Sequence, residues 1–367
     1  MGKIIKPIKI ILIALDSNTG SDRVISYYAK VLKDLSINIE VCSPAEEVRR
    51  ILPKALWLTL QRLPAKRWLT QIIFEFWLVR RVWHMRKKAK VKVISFVYPL
   101  LPLALFFSRV LRIYEYWFWV PDLMYRKRYV SSFRWYIFSI LSSFAIKSAH
   151  RVLVPSASAR LDIATFFSQR VANRVQRLDA PIDQEKMKQI CSHPVADLEG
   201  KIFIFHPAGN KPNKNMERSI EAFQLMRNNL KNPENNYFVC LANSVNSVTG
   251  LVNLDMTNVI TVEHATDEQV KWLYLNCNFV SVVSIEEGVG LPVLEGQYFG
   301  KLIVTSFISA MPETTSGRAI FVDPYSVQSI FEGYKCAFMK DKQVLFHHNI
   351  SPYGSRLHEQ FSSLTRL

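Results

Sequence analysis

Residues 281–306 read SVVSIEEGVGLPVLEGQYFGKLIVTS, and the reading of this stretch decides the fold. The apolar run 279–283 predicts a buried strand and 302–305 a second one, with a turn and a short helix between them. Pro292 suits a first helical turn, Gly288 and Gly290 permit a tight approach before it, and Gly300 suits the stop. Everything between the two strands therefore lies at one edge of a sheet. A helix N-terminus carries unpaired N–H groups and partial positive charge, so the turn can receive a phosphate. Glu287 precedes the helix and Glu295 lies eight positions on, which puts a carboxylate on either side of that anion site. The plain alternative is the strand–turn–helix of any α/β protein, with both glutamates solvated.

Upstream, an apolar strand at 201–205 runs into HPAGNKPNKNMERSIEAF. Asn210, Lys211 and Lys214 precede a helix at 216–226, and cations beside helix N–H groups are what a pyrophosphate needs, lysine acting as a point charge. An exposed basic loop with a capping asparagine is the alternative. Strands at 237–241 and 259–262 and a helix at 267–275 complete an alternation that predicts a parallel, doubly wound sheet.

The first half repeats the pattern less plainly. A strand at 8–15, a turn containing Gly20, a helix at 24–35 and a strand at 37–41 form a βαβ beginning. The apolar run at the start is too short for a secretory signal and ends at Asp16 as a strand does. Residues 49–92 then carry thirteen lysines and arginines against one acid, Glu75. Trp68, Phe76, Trp77 and Trp83 interleave with Arg80, Arg81, Arg86 and Lys87, and Ile72, Phe76, Val79 and Trp83 share a helical face. A basic helix with aromatic rings has the composition of an interfacial membrane element; core packing of the same face is the alternative. Residues 93–111 are shorter than a membrane span and broken by Pro99 and Pro102, so strand, turn and helix describe them better.

The 367 residues carry a formal charge of +17, which favours anionic partners. Five scattered cysteines without a paired spacing predict neither a zinc site nor a disulfide framework. Nucleic acid is not expected, because no RNP-like or helix-turn-helix string accompanies the charge.

The string EGVGLPVLE resembles the E-x7-E signature of retaining glycosyltransferases of GT-B fold, glycosyltransferase family 4 in particular. GNKPNKN is similar to that family's basic donor loop, and AHRVLVPSASARLDI to its first-domain strand–helix segment, with Ser156 or Ser158 as N-cap. The resemblance implies an α/β chain with two Rossmann-like, doubly wound domains facing a cleft. It places residues 1–183 on the acceptor and membrane side and 201–350 around the nucleotide-sugar, with 351–367 as a helix crossing back. In catalytic roles it implies Glu287 on the donor sugar, Lys214 on the departing diphosphate and Asp122 on the acceptor side. Donor-binding roles fall to Glu295 on the ribose, Lys211, Asn210, Gly288, Gly290, Leu291 and Gly20. The expected reaction is retaining and metal-independent, with the nucleotide-sugar as substrate rather than cofactor. GDP-mannose and UDP-hexoses both fit as donors. A membrane-associated glycan or lipid-linked acceptor in surface polysaccharide assembly fits the basic, aromatic first half, and with it a cytoplasmic, peripheral place on an anionic inner membrane face. Pro121 stands where the family commonly has histidine, and the loop at Gly20 is thin in glycine. A catalytically silent module of the same fold, binding a glycan or a partner enzyme, is therefore the competing reading.

Overall fold

The structure, a computed structural model, describes residues 6–14, 20–43, 46, 50, 66–96, 99–100, 102–123, 133–180, 182–209, 211–242, 254–315, 319–339 and 357–366. The chain divides into two compact units, residues 1–179 with 355–367, and residues 180–354. The first boundary thus falls just before the expected 183, and the C-terminal segment belongs with the first unit.

In the first unit, β1 (Ile8–Ile13), α1 (Gly20–Asp34) and β2 (Asn38–Cys42) open the chain. They are followed by α2 (Lys66–Met85), β3 (Lys90–Phe96), α3 (Pro102–Arg109), β4 (Glu115–Trp119) and α4 (Phe133–Ser148). β5 (Arg151–Val154), α5 (Ala157–Phe166), α6 (Gln169–Ala172) and β6 (Val175–Arg177) close the sheet. Among the described residues its six strands are all parallel, in the order β2-β1-β3-β4-β5-β6. Ser156 caps α5, its hydroxyl accepting from the Ala159 N–H at 3.1 Å.

Two apolar faces compete on α2, and burial separates them. Phe74, Leu78 and Val82, spaced four apart, enter the core, while Phe76 and Trp83 are exposed. Trp77 packs against the core cluster and Arg81 pairs with Glu40 of β2, so both are partly committed to the fold. Arg80 and Lys87 are exposed, and Arg86 stacks over the Trp83 ring at 3.3 Å from its centroid. Trp68 lies in the first turn of α2, and its side chain is outside the described residues.

The second unit contains α7 (Gln184–Gln189), β7 (Ile202–His206), α8 (Met216–Asn228), β8 (Asn236–Ala242) and β9 (Val259–Glu263). After these come α9 (Asp267–Asn276), β10 (Phe279–Val282), α10 (Leu291–Tyr298), β11 (Ile303–Ser306), α11 (Met311–Thr314), β12 (Ile320–Val322) and α12 (Val327–Met339). The helix α13 (Leu357–Arg366) returns to the first unit, where Phe361 meets the Tyr28 ring edge-on at 5.2 Å.

The second sheet is parallel, in the order β12-β11-β10-β7-β8-β9. Strand direction of travel reverses between β7 and β10, which is the Rossmann arrangement. Ile220, Phe223, Ile330 and Tyr334 from α8 and α12 cover one face, and Leu273, Tyr274 and Val293 from α9 and α10 the other. In such sheets ligands bind beyond the carboxyl ends of the strands at the reversal, so the order alone directs attention to the loops after β7 and β10.

Gly333 lets α12 lie close on the sheet: an added Cβ would stand 2.4 Å from Val322 Cγ1 and 3.2 Å from Val304 Cγ1. Both neighbours are β-branched and cannot swing away freely. Gly333→Ala gains about 1 kcal/mol of helix propensity but overpacks at a cost of about 1–3 kcal/mol. Thermal unfolding is expected to show a lower Tm, and an unchanged or higher Tm would contradict the close approach.

Candidate active site

The loop after β7 turns through a 3-10 turn, Pro212–Lys214, and enters α8 through Asn215 in the left-handed region at φ 58°. Asparagine tolerates this conformation better than most residues, and here its amide also holds it there. Asn215 Nδ2 donates to the Val283 carbonyl at 3.1 Å and to the Pro324 carbonyl at 2.7 Å. Asn213 Nδ2 donates to the Glu286 carbonyl at 3.0 Å, and the Ile285 N–H donates back to the Asn213 carbonyl at 2.8 Å. The two loops on either side of the reversal are thus sewn together by buried amides, whose breakage would leave carbonyls without partners.

That stitching brings Lys214 onto Glu287. Lys214 Nζ pairs with Glu287 Oε1, and the Ser284 hydroxyl donates to the same oxygen at 3.0 Å. Ser309, in the loop after β11 and itself at φ 59°, fixes the Glu287 backbone from the other side. Its Oγ accepts from the Glu287 N–H at 3.0 Å and donates to the Glu287 carbonyl at 2.7 Å. Glu287 is therefore held by side chain and backbone alike, with its side chain mostly covered. Lys211 caps the 3-10 turn from the residue before it and is exposed; the Lys214 N–H donates to its carbonyl at 2.8 Å.

Gly290, at φ 75°, is the N-cap of α10, Leu291 opens the helix and Pro292 occupies its first turn. A Cβ on Gly290 would meet only the flexible end of Met311, 2.3 Å from its Cε, so it is the left-handed backbone that favours glycine here. Gly288 is buried in the same turn. Within α10, Glu295 is buried, and the Tyr274 hydroxyl donates to its Oε2 at 2.8 Å. Gly300, at φ 69°, follows the C-cap of that helix.

Of the residues singled out from sequence, the second unit thus gathers Lys211, Lys214, Glu287, Gly288, Gly290, Leu291 and Glu295 around one strand reversal. Asn210 lies outside the described residues. In the first unit Gly20 begins α1 after β1, and the half-buried Asp122 follows β4 and has partners of its own. Both follow the carboxyl ends of their strands, β1 and β4, which have β3 between them and so run roughly 10 Å apart at ordinary strand spacing. Pro121, also half-buried, adjoins Asp122.

Sequence reasoning passed over Asn213, Asn215, Tyr274, Ser309 and His206. The first four act through partners far along the chain, for which a local pattern carries no signal. His206, the last residue of β7, is fully buried beside the Phe238 ring, and neither ring nitrogen has a well-formed hydrogen bond. Burial, with the Lys214 charge adding to it, pushes its pKa down to about 3, and the Ser281 backbone offsets this only in part. Below about pH 6.5 the unfolded chain takes up a proton that the folded chain refuses, so stability falls as pH drops from there towards about 3. The slope is about 1.4 kcal/mol per pH unit for one such group. His206→Phe is expected to flatten this acid limb in urea titrations, and an unchanged limb would mean that the imidazole is not kept neutral by burial.

Residues 193–344 match the family described as Glycosyl transferases group 1. The serotype-specific mannosyltransferase WbdA of Escherichia coli is 25% identical over 224 residues, 57% of this chain and 27% of WbdA. The chain thus spans about a quarter of the length of the curated relatives it matches. Sucrose-phosphate synthase from Thermosynechococcus elongatus superposes with a TM-score of 0.64 at 15% identity, covering 97% of this chain and 94% of that one. An Escherichia coli trehalose-6-phosphate structure bound with UDP-2-fluoro glucose gives 0.64 at 11% identity, covering 98% and 99%. These likenesses establish the GT-B fold with its two Rossmann-like domains.

Proposed function

We propose that this chain, whose residues 193–344 match the glycosyl transferases group 1 family, is a GT-B glycosyltransferase that moves a sugar from a nucleotide-sugar to a membrane-associated glycan or lipid-linked acceptor in surface polysaccharide assembly. The observation that carries the reading is the Lys214–Glu287 pair at the strand reversal, with Glu295 in the helix just beyond it. The mannosyltransferase relative favours GDP-mannose as donor, with UDP-hexoses next in line.

In this reading the diphosphate sits on the loop of Lys211 and Lys214 and against the N-terminus of α10 at Gly290 and Leu291. Negative charge develops on the departing nucleotide, and a fixed ammonium and helix N–H groups stabilise it without reorganising. Lys214 is then shared between Glu287 and phosphate, so the bound donor loosens the ion pair and leaves Glu287 to meet the sugar hydroxyls. Glu295, oriented by Tyr274, takes the ribose hydroxyls. Asp122 serves the acceptor side. Transfer with retention, without a protein nucleophile and without a metal, is part of the same proposal. The exposed aromatic and basic side chains of α2 suggest that the chain works against an anionic membrane surface.

A panel of nucleotide-sugars tested by thermal shift identifies the donor, because a ligand bound by the folded state alone raises Tm. One member of the panel is expected to raise Tm at concentrations well above its Kd, and the anomer of the transferred sugar reports retention. A panel without any shift or turnover contradicts the reading. Pro121 beside Asp122 favours the second reading, a silent GT-B module; it predicts nucleotide-sugar binding with neither transfer nor hydrolysis.

A further inference from the structure

The outer surface of α4 is unlike that of a water-facing helix. Ala145 and Ile146 enter the core, yet Ile137, Ile140 and Phe144, spaced three and four apart, form a second apolar stripe on the outside. Ile140 is 51% exposed and Phe144 44%. Helix α3 packs against α4 and behaves alike: Phe106 on it and Val110 just past its end stand 47% and 60% exposed. Single exposed apolar residues are ordinary on a protein surface, but two adjoining helices that both turn branched and aromatic side chains outward mark an interaction surface.

Charge says what covers it. Neither α3 nor α4 contains an aspartate or glutamate, and Glu75, the one acid of α2, is buried. Arg109, Arg112 and Lys147, on these helices or just past the end of α3, are exposed. A symmetric contact with a second copy would set these cations against their own counterparts with no carboxylate on these helices to pair them. Lipid phosphate satisfies them, and acyl chains satisfy the stripe. Among the described residues no helix is long and apolar enough to cross a membrane, so the contact is one of lying on the surface.

We propose that the outer faces of α3 and α4 enter an anionic bilayer, with Phe106, Val110, Ile140 and Phe144 at the headgroup–acyl boundary and Arg109, Arg112 and Lys147 at the phosphates. The inference rests on the membrane reading above and moves the inserting element from α2 to α3 and α4, leaving Arg80 and Lys87 of α2 to headgroup attraction.

The test is flotation of the full chain with phosphatidylcholine vesicles, with and without phosphatidylglycerol. Wild-type protein is expected to float with the anionic vesicles only. The double variant Ile140→Glu/Phe144→Glu is expected to lose at least about tenfold in bound fraction, since apolar burial and charge attraction both suffer. The conservative pair Ile140→Leu/Phe144→Leu is expected to float as wild type does, which separates insertion from misfolding. Absence of wild-type flotation overturns the membrane reading and this inference together. Flotation that survives Ile140→Glu/Phe144→Glu but is lost in Phe76→Glu/Trp83→Glu overturns this inference alone and returns the anchor to α2. A wild-type dimer in sedimentation that Ile140→Glu/Phe144→Glu makes monomeric assigns the face to a second copy and likewise overturns it.

Discussion

Lys214→Ala is expected to lower turnover about 10²–10³-fold, the cost of removing one preorganised charge donor from a developing anion. KM for the donor should rise less than kcat falls, because the charge on the departing nucleotide grows in the transition state. The substitution also strips Glu287 of its cationic partner, and a mostly covered carboxylate without a counter-charge repels the diphosphate further. The double variant Lys214→Ala/Glu287→Gln separates these effects. If repulsion by the freed carboxylate were the whole cause, donor binding would recover in the double variant. The account expects nucleotide binding to recover in part and turnover not to recover. Folding is not at stake, since Asn213 and Asn215 hold the loop through the backbone on their own.

Glu295→Ala has the second-largest expected effect, and it falls on binding. A charged acceptor shared by two ribose hydroxyls supplies about 1.5–3 kcal/mol per hydrogen bond, so nucleotide Kd should rise by at least roughly 10²-fold. The substitution leaves the Tyr274 hydroxyl without the carboxylate it now donates to, at 2.8 Å. Tyr274→Phe removes the orienting bond while keeping the carboxylate, and about 1 kcal/mol of net hydrogen-bond energy predicts a roughly fivefold weaker Kd. A Glu295→Ala protein that bound free UDP or GDP as tightly as wild type would move the ribose elsewhere.

Much of the second unit was legible because its signals are local. Pro292, Gly290 and Gly300 each answer a demand of the backbone at their own position, and the structure gives Gly290 and Gly300 the positive φ that the pattern predicts. The strand–helix alternation likewise leads to a parallel sheet. Its strand order is a matter of pairing between distant segments, and only that order singles out the crevice between β7 and β10. Ser309 is the plainest case of what stayed hidden: nothing around it in sequence announces that its hydroxyl clasps the backbone of Glu287.

On α2 the limit is of another kind. Ile72, Phe76, Val79 and Trp83 recur with helical period, but so do Phe74, Leu78 and Val82, and both sets are apolar. Periodicity gives the helix and cannot say which stripe meets the sheet; burial chooses the second. The outward direction of Ile140 and Phe144 on α4 likewise depends on how the helix docks. The chain departs from the pattern it resembles at Pro121, and Asp122 is correspondingly the residue whose role depends most on an acceptor being found.

The central claim, a nucleotide-sugar site at the strand reversal of the second unit, is met most directly by calorimetric titration of the full chain with GDP-mannose and UDP-glucose. Wild type should bind one of them with saturable heat, Lys214→Ala and Glu295→Ala should each weaken that binding, and circular dichroism should show all three equally folded. Equal affinity in the three folded proteins would contradict the account.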